Sequence, residues 1–334
     1  MSDLSTEPNA SETNATEAEP AKRGKPQRRK RDITGWLILD KPVGLTSTEA
    51  LGAVKRLFRP QKAGHAGTLD PLASGLLPIA FGEATKTVPY VVDGRKVYSF
   101  VVKWGVETDT DDAEGEIAAT SDIRPDEAAI RTILSDFTGE IEQVPPRYSA
   151  IKIAGERAYD LARAGEEVEL QARTIRVYDL RLVDRPSADE AVFEAECGKG
   201  TYVRALARDM GRALGTCGHV SRLRRLAVGP FAEEDMITLD ALREIAEEED
   251  GAAKLDDCLL PVEEALDDLP LVTVTGSDAG RLRRGQAVIL KGRDAPVFAG
   301  EAYAMAAGRL VALGEVERGT FNPKRVFRHS EPRR

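Results

Sequence analysis

The stretch Gly64-His65-Ala66-Gly67-Thr68-Leu69-Asp70-Pro71-Leu72-Ala73-Ser74-Gly75-Leu76-Leu77-Pro78, continuing to Gly82, governs how the rest of the chain is interpreted. It is too irregular for a helix and too apolar for an ordinary solvated turn, so it reads as a loop rich in Gly and Pro. Asp70 stands in it between Leu69 and Pro71. A carboxylate held there is partly desolvated and needs a cation or hydrogen-bond donors to remain ionised. On spacing alone, such an aspartate reads as a turn or helix cap.

Outward from this stretch the pattern alternates between strand and helix. Upstream, Gly35-Trp36-Leu37-Ile38-Leu39 is an apolar run that reads as a buried strand, with Asp40-Lys41-Pro42 as its exit turn. Thr46-Ser47-Thr48-Glu49 has capping-box spacing, and Leu51, Val54 and Phe58 follow at helical intervals. Downstream, Tyr98, Phe100, Val102 and Trp104 alternate, which places them on one face of a strand. Ile130, Ile133, Leu134 and Phe137 make a helical stripe closed by Gly139, and residues 175–182 and 192–197 alternate again. After Gly200, Val203, Leu206, Ala207, Met210 and Leu214 form one apolar stripe of a helix ended by Gly215. Arg204, Arg208 and Arg212 fall on a second stripe, which taken alone reads as helix surface. There is no regular βαβ alternation, so the expected class is α+β with a largely antiparallel mixed sheet. Residues 235–268 read as helix plus connector, and 271–327 as a small β-rich second domain.

The chain has 334 residues, 42% of them hydrophobic and 31% charged, which suits a soluble globular protein of two domains. No run approaches the roughly 20 apolar residues of a membrane span, and no secretory signal is legible. Three cysteines (Cys197, Cys217 and Cys258) are too few for a disulfide framework and fit a cytoplasmic setting. The formal net charge is -9, but the charges are segregated. Residues 22–31 (KRGKPQRRKR) are almost wholly basic, and 200–229 carry many arginines against one acid, Asp209. Acids gather in residues 2–19 and 233–268. A basic working face beside acidic ballast is compatible with RNA. Residues 1–31 have almost nothing apolar and are expected to be a disordered tail, its basic half either solvated or a weak phosphate-attracting arm.

Familiar catalytic patterns are missing. With three histidines and no CxxC or HExxH, the Cys217/His219 pair is short of ligands for zinc. No Gly-rich loop has Walker or dinucleotide spacing, and there is no GxSxG elbow. The acidic run at residues 109–115 brushes against a calcium-loop pattern, lacks its later glutamate, and reads as a solvated turn. No metal, nucleotide or other cofactor is expected.

The stretch GHAGTLDPLASGLLPIAFG resembles the signature of the TruB family of bacterial tRNA pseudouridine-55 synthases. The resemblance runs on, in order, through Leu39-Asp40-Lys41-Pro42-Val43-Gly44, Val97-Tyr98-Ser99-Phe100, residues 108–115, the PPRYSAIK run at 145–152, Gly198-Lys199-Gly200-Thr201-Tyr202-Val203-Arg204 and residues 219–226. It implies a pseudouridine-synthase catalytic domain over residues 32–260 and a PUA-like RNA-binding domain over 269–327. The implied reaction detaches a uracil from its ribose, turns it, and rejoins it through C5, here at position 55 in the T-loop of tRNA.

By the same resemblance Asp70 is the nucleophile, since a carboxylate can form a transient adduct and leave again. Attack at C1′, attack at C6 and a glycal route all remain open. Arg204 pairs with Asp70, holding it ionised and aimed. Tyr98 stacks on the target base, while sharing its strand face with core residues. Tyr202 and Leu223 line the uridine pocket. His65 packs where the target nucleotide has swung out, and Lys41 and Pro42 support the catalytic loop. Flipping costs on the order of a few kcal/mol, and a flat ring stacking in the vacated place can return about 1–3 kcal/mol. In the second domain Arg281, Arg283, Arg284, Lys324 and Arg325 are the implied phosphate contacts. The implied partner is the T-arm of tRNA, with no obligate protein partner and a monomeric enzyme. The rival readings are a tRNA-folding chaperone, a structural module of a ribonucleoprotein, and a synthase with another RNA target.

Overall fold

The computed structural model describes residues 29–149, 152–153, 156–157, 170–290 and 298–328. Residues 1–28, most of the expected tail, lie outside the described residues, as do Ala150 and Ile151 of the PPRYSAIK run. The tail's last residue is docked: the Arg31 amide donates to the Arg59 carbonyl (2.7 Å), and its guanidinium pairs with Asp256.

The first unit is built on one sheet of nine strands. In chain order its strands are β1 (Gly35–Lys41), β2 (Ala63–His65), β3 (Ala73–Phe81) and β4 (Lys96–Trp104). A side hairpin pairs β5 (Val106–Thr108) with β6 (Ile117–Thr120). Then come β7 (Gly139–Gln143), a small pair of β8 (Lys152–Ile153) and β9 (Glu156–Arg157), β10 (Arg173–Asp184), β11 (Glu190–Cys197), β12 (Gly218–Val228) and β13 (Ile237–Thr238). The spatial order is β13-β1-β3-β12-β4-β11-β10-β7, with β2 beside β3. Two pairings, β1 with β13 and β3 with β12, are parallel and the others in this sheet antiparallel. This is the largely antiparallel mixed sheet expected.

One correction concerns residues 64–82, which are a loop only in part. Ala73–Phe81 is a central strand, antiparallel to β1 from Gly35↔Phe81 to Lys41↔Gly75. A strand buried on both faces shows a continuous apolar run instead of alternation, and Gly75 and Pro78 disguised it further. Pro78 costs the sheet little, because its carbonyl accepts from the Ala66 amide on the flank where β2 stops. Only Ala66 to Leu72 remain as loop.

Helices cover this sheet. Helix α1 (Ser47–Phe58) starts at the capping box read from the sequence, with Thr46 accepting from the Glu49 amide and Glu49 from the Thr46 amide. After the short α2 (Val88–Asp93) and α3 (Glu127–Ile133), α4 (Val203–Ala213) packs Leu206, Ala207 and Met210 into the main core. That core joins Leu37, Leu39, Phe58 and Phe81 to Phe100, Trp104 and Phe193, with the Phe100 and Phe193 rings stacked at 5.5 Å. The opposite face buries Trp36, Ile38, Leu76 and Phe231. The acidic stretch forms α5 (Leu239–Glu247) and α6 (Gly251–Asp257), as helix plus connector predicts.

The C-terminal unit contains β14 (Leu271–Thr273), α7 (Gly276–Arg283), β15 (Val288–Ile289), β16 (Gly300–Ala306), β17 (Arg309–Glu317) and β18 (Thr320–Val326). Its sheet runs β14-β16-β17-β18-β15 over a core of Val272, Leu282, Val311, Val316 and Phe321. Leu266, Leu310, Leu313 and Phe327 cluster with Tyr90 and Val262, joining the two units.

Candidate active site

The loop that carries Asp70 is fastened from below. Ser47, in the first turn of α1, donates its hydroxyl to the Leu69 carbonyl (2.9 Å) and accepts from the Leu69 amide (2.8 Å). The Gly44 amide donates to the Pro71 carbonyl (2.8 Å), so the Lys41–Gly44 turn and the Asp70 loop are one hydrogen-bonded unit. Lys41 is fully buried and donates to the carbonyls of Pro42 (2.9 Å) and Leu45 (2.7 Å). Burial pushes its amine down to about 8, against the opposing pull of Asp70. Lys41 and exposed Pro42, which contributes its carbonyl, thus stand in the turn bonded to the Asp70 loop.

The cavity above this loop measures about 760 Å³, and Ser47, Thr48, His65, Asp70, Asp112, Glu114, Tyr148 and Arg204 are on its wall. Asp70 keeps its side chain 40% exposed, and its Oδ2 lies 3.0 Å from a guanidinium nitrogen of Arg204. Arg204 is not helix surface: it is 5% exposed, in the first turn of α4. Its guanidinium also donates to the carbonyls of Thr110 (2.8 Å) and Tyr148 (2.9 Å) and pairs with Asp112 (3.3 Å). Four partners on one planar group leave it little rotational freedom, so the oxygen of Asp70 it holds is fixed in place.

A second correction follows. Residues 109–115 are not a solvated turn, because Asp111 and Asp112 are 5% and 3% exposed. Each faces one arginine of α4, Asp112 meeting Arg204 and Asp111 meeting Arg208 at 2.9 Å. Asp111 stays pushed up to about 6, since burial outweighs the pull of Arg208 and Arg204. Glu114, on the cavity wall, is raised by burial and by the nearby carboxylates of Asp112 and Asp70. The local sequence shows four acids among Thr110, Ala113 and Gly115; the burial of Asp111 and Asp112 depends on two arginines nearly a hundred residues away. Arg212 is the exposed member of the arginine stripe, paired with Glu107 at 2.6 Å.

Tyr98, Tyr202 and Leu223 are not on the wall of this cavity. Tyr98 lies partly buried on β4, packed against the main core, and burial pushes its phenol up while Arg225 pulls it down. Tyr202 is the residue before α4, its amide donating to the Gln143 side chain (2.8 Å) and its carbonyl accepting from it (3.2 Å). Asp70 is close enough to act electrostatically on both phenols. Leu223 is in the core, opposite Phe100 on β4 and Ala73 on β3. His65 faces the cavity from β2, and burial lowers its pKa, so the ring is a neutral flat surface at pH 7.

One buried charge went unread in the sequence. Arg225 is 1% exposed, and its donors go to the carbonyls of Leu76 (2.8 Å), Thr68 (3.4 Å) and Gly67 (3.4 Å) and to the Tyr98 side chain. In sequence it is one arginine among Arg222, Arg224 and Arg225. Only strand parity distinguishes it, since Arg225 sits opposite Tyr98 and Gly75, on the face of Leu223. Among the described residues, no group of three or more His, Cys, Asp or Glu side chains is arranged to hold a metal ion.

Comparison with known proteins gives the family. Residues 55–203 match the TruB family pseudouridylate synthase N-terminal domain, and 204–267 match the tRNA pseudouridylate synthase B C-terminal domain. A tRNA pseudouridine synthase B of Bradyrhizobium diazoefficiens is 62% identical over 94% of this chain and 91% of its own. One from Rhodopseudomonas palustris is 62% identical over 91% of this chain and 83% of its own. Among solved structures, a chain of an H/ACA ribonucleoprotein bound to a substrate RNA containing 2′-deoxyuridine matches 88% of this chain and 85% of its own. Its TM-score is 0.68, at 26% identity. With two family matches and relatives of this identity and coverage, the chain belongs to the TruB family of pseudouridylate synthases.

Proposed function

We propose that this enzyme isomerises uridine to pseudouridine at position 55, in the T-loop of tRNA, acting as a cytoplasmic monomer without cofactor. The observation that carries the reading is an aspartate open to a cavity on one side and gripped by a buried, four-partnered arginine on the other. Asp70 serves as the nucleophile. Arg204 holds one of its oxygens through a charge-assisted contact and so aims the carboxylate that forms the adduct. Tyr98, Tyr202 and Leu223 do not line this cavity; on the family resemblance we assign Tyr98 to the target base, Tyr202 and Leu223 to the border of the uridine, and Lys41 and Pro42 to the support of the loop. His65 fills the place the nucleotide leaves; its neutral ring suits stacking. The cavity of about 760 Å³ has room for a flipped nucleotide. The names of the relatives, tRNA pseudouridine synthase B, support tRNA as the substrate.

The test is incubation of the purified enzyme with an unmodified tRNA transcript and a chelator, followed by mapping of pseudouridine. Asp70→Asn runs alongside, with RNA affinity measured for both. Product at the T-loop uridine, lost in Asp70→Asn while affinity stays within about threefold, is the expected result. Binding with no product from the unaltered enzyme would replace the isomerase by a tRNA chaperone, and product elsewhere would change the target.

A further inference from the structure

Many exposed cations among the described residues are neutralised: Arg95 by Glu196, Arg181 by Glu194 and Lys254 by Glu248 are examples. One surface near the cleft carries a cluster of cations that are not. From Ala50 to Leu69 the chain carries Lys55, Arg56, Arg59 and Lys62 and no carboxylate. Lys55 and Arg56 project from the last turn of α1, and Lys62 precedes β2; all three are exposed. Arg29 and Lys30 join them, because the Arg31 amide bonds to the Arg59 carbonyl and the Gln61 amide to the Arg31 carbonyl. Among the described residues none of these six forms an ion pair, whereas Arg31 beside them is held by Asp256. A helix C-terminus favours cations over its last turn, which accounts for Lys55 and Arg56 but not for Lys62, Arg29 or Lys30.

Two elements lead from this surface to the cavity. Lys62 is three extended residues, roughly 10 Å, from His65. Lys55 is seven helical residues, also roughly 10 Å, from Thr48. Both His65 and Thr48 are on the cavity wall. In a chain of net charge -9, an uncompensated basic surface beside the cleft marks a contact with a polyanion. We infer that the surface formed by the end of α1, residues 29–30 and Lys62 binds the RNA sugar-phosphate backbone flanking the nucleotide that enters the cleft. This rests on the RNA reading of the site and adds to it a positioning surface outside the cavity. The contact is to phosphates, so it raises affinity without regard to sequence.

The experiment compares the unaltered enzyme with the triple variant Lys55→Gln/Arg56→Gln/Lys62→Gln on an unmodified tRNA transcript. Affinity is measured between about 50 and 200 mM salt, with kcat at saturating RNA and Tm as further readouts. About three lost phosphate contacts should make the slope of log K against log salt shallower by about 2. Kd should weaken by about tenfold or more while kcat and Tm hold, and Lys55→Arg/Lys62→Arg should behave as unaltered. Unchanged Kd and slope, or a fall in kcat at unchanged Kd, would overturn the proposal. Its fate is separable from that of the isomerase reading, which Asp70→Asn tests through product and not through affinity.

A second inference stands on Arg225 alone. Among the described residues no carboxylate lies within ion-pair distance of this buried guanidinium; it joins the Tyr98 side chain to the carbonyls of Gly67 and Thr68, just before Asp70. We infer that Arg225 is a positioning residue that locks Tyr98 and the Asp70 loop into one geometry. In kinetics, Arg225→Met should lower kcat by about a hundredfold or more with KM little changed. In a Tyr98→Phe background the same change should cost far less, because the link is already cut. An equal loss in both backgrounds would reduce Arg225 to ordinary packing. Arg225→Lys, which keeps the charge in a smaller shape, serves if Arg225→Met does not fold.

Discussion

Arg204 and Arg208 are one helical turn apart on α4, both nearly buried, yet they face different partners. Arg204 reaches the carboxylate open to the cavity, and Arg208 satisfies Asp111, Asp209 and the Val144 carbonyl. The two should therefore fail differently. Arg204→Gln is expected to reduce kcat by about a thousandfold or more with tRNA affinity within a few-fold, read by single-turnover kinetics. Arg208→Gln leaves Asp111 buried without its main partner and should cost about 3–5 kcal/mol of stability near pH 8. The pH dependence has a definite sign. Asp111 holds its proton more tightly folded than unfolded, so its contribution is complete below its ordinary value of 3.8 and is lost as pH rises through about 6. Tm of Arg208→Gln should thus fall further below that of the unaltered enzyme at pH 8 than at pH 5. Lys41 gives the complementary case, a buried amine at about 8 that loses its charge as the solution becomes alkaline. Turnover should decline above about pH 8, and Lys41→Arg, which stays protonated, should remove that limb if the loop accepts the larger group.

At the scale of elements, the close approach of β3 to β12 is what places Arg225 under the loop. Gly75 has φ +96°, and a Cβ built there would lie 2.2 Å from the Arg225 carbonyl oxygen. Gly75→Ala should cost about 3 kcal/mol or more, from left-handed strain together with a backbone clash, measured as a lower urea midpoint. Because the same contact carries Arg225, turnover should fall in whatever fraction remains folded. The strands Lys96–Trp104, Arg173–Asp184 and Glu190–Cys197 were legible from alternation because one face of each meets the core and the other is more open. Ala73–Phe81 was not, for it is buried on both faces and interrupted by residues that usually mark turns.

Over the whole molecule, the two units meet through an apolar cluster and a small polar latch. Leu266, Leu310, Leu313 and Phe327 form the cluster, and the Lys86 amine donates to the Val326 carbonyl (2.7 Å) while Glu83 accepts from the Arg328 amide (2.7 Å). Phe327→Ala removes a buried ring from that joint and should cost about 3 kcal/mol or more of docking. The expected signature is faster protease cleavage near residues 262–270, with the unfolding of the catalytic unit little changed. Equal destabilisation of both units would show that they unfold as one.

The sequence by itself determined the motif around Asp70, the capping box at Thr46, the outward strands and the β-rich C-terminal unit. Those features rest on local chemistry: periodicity, capping geometry, and a short motif whose residues act close together. Only the tertiary structure decided which charges are buried. Arg204, Arg208 and Arg225 look alike in a row of basic residues, and Asp111 and Asp112 look like any acidic turn. Their desolvation depends on which partner crosses the sheet or the helix to meet them, and neutralisation between residues far apart in the chain leaves no periodic trace.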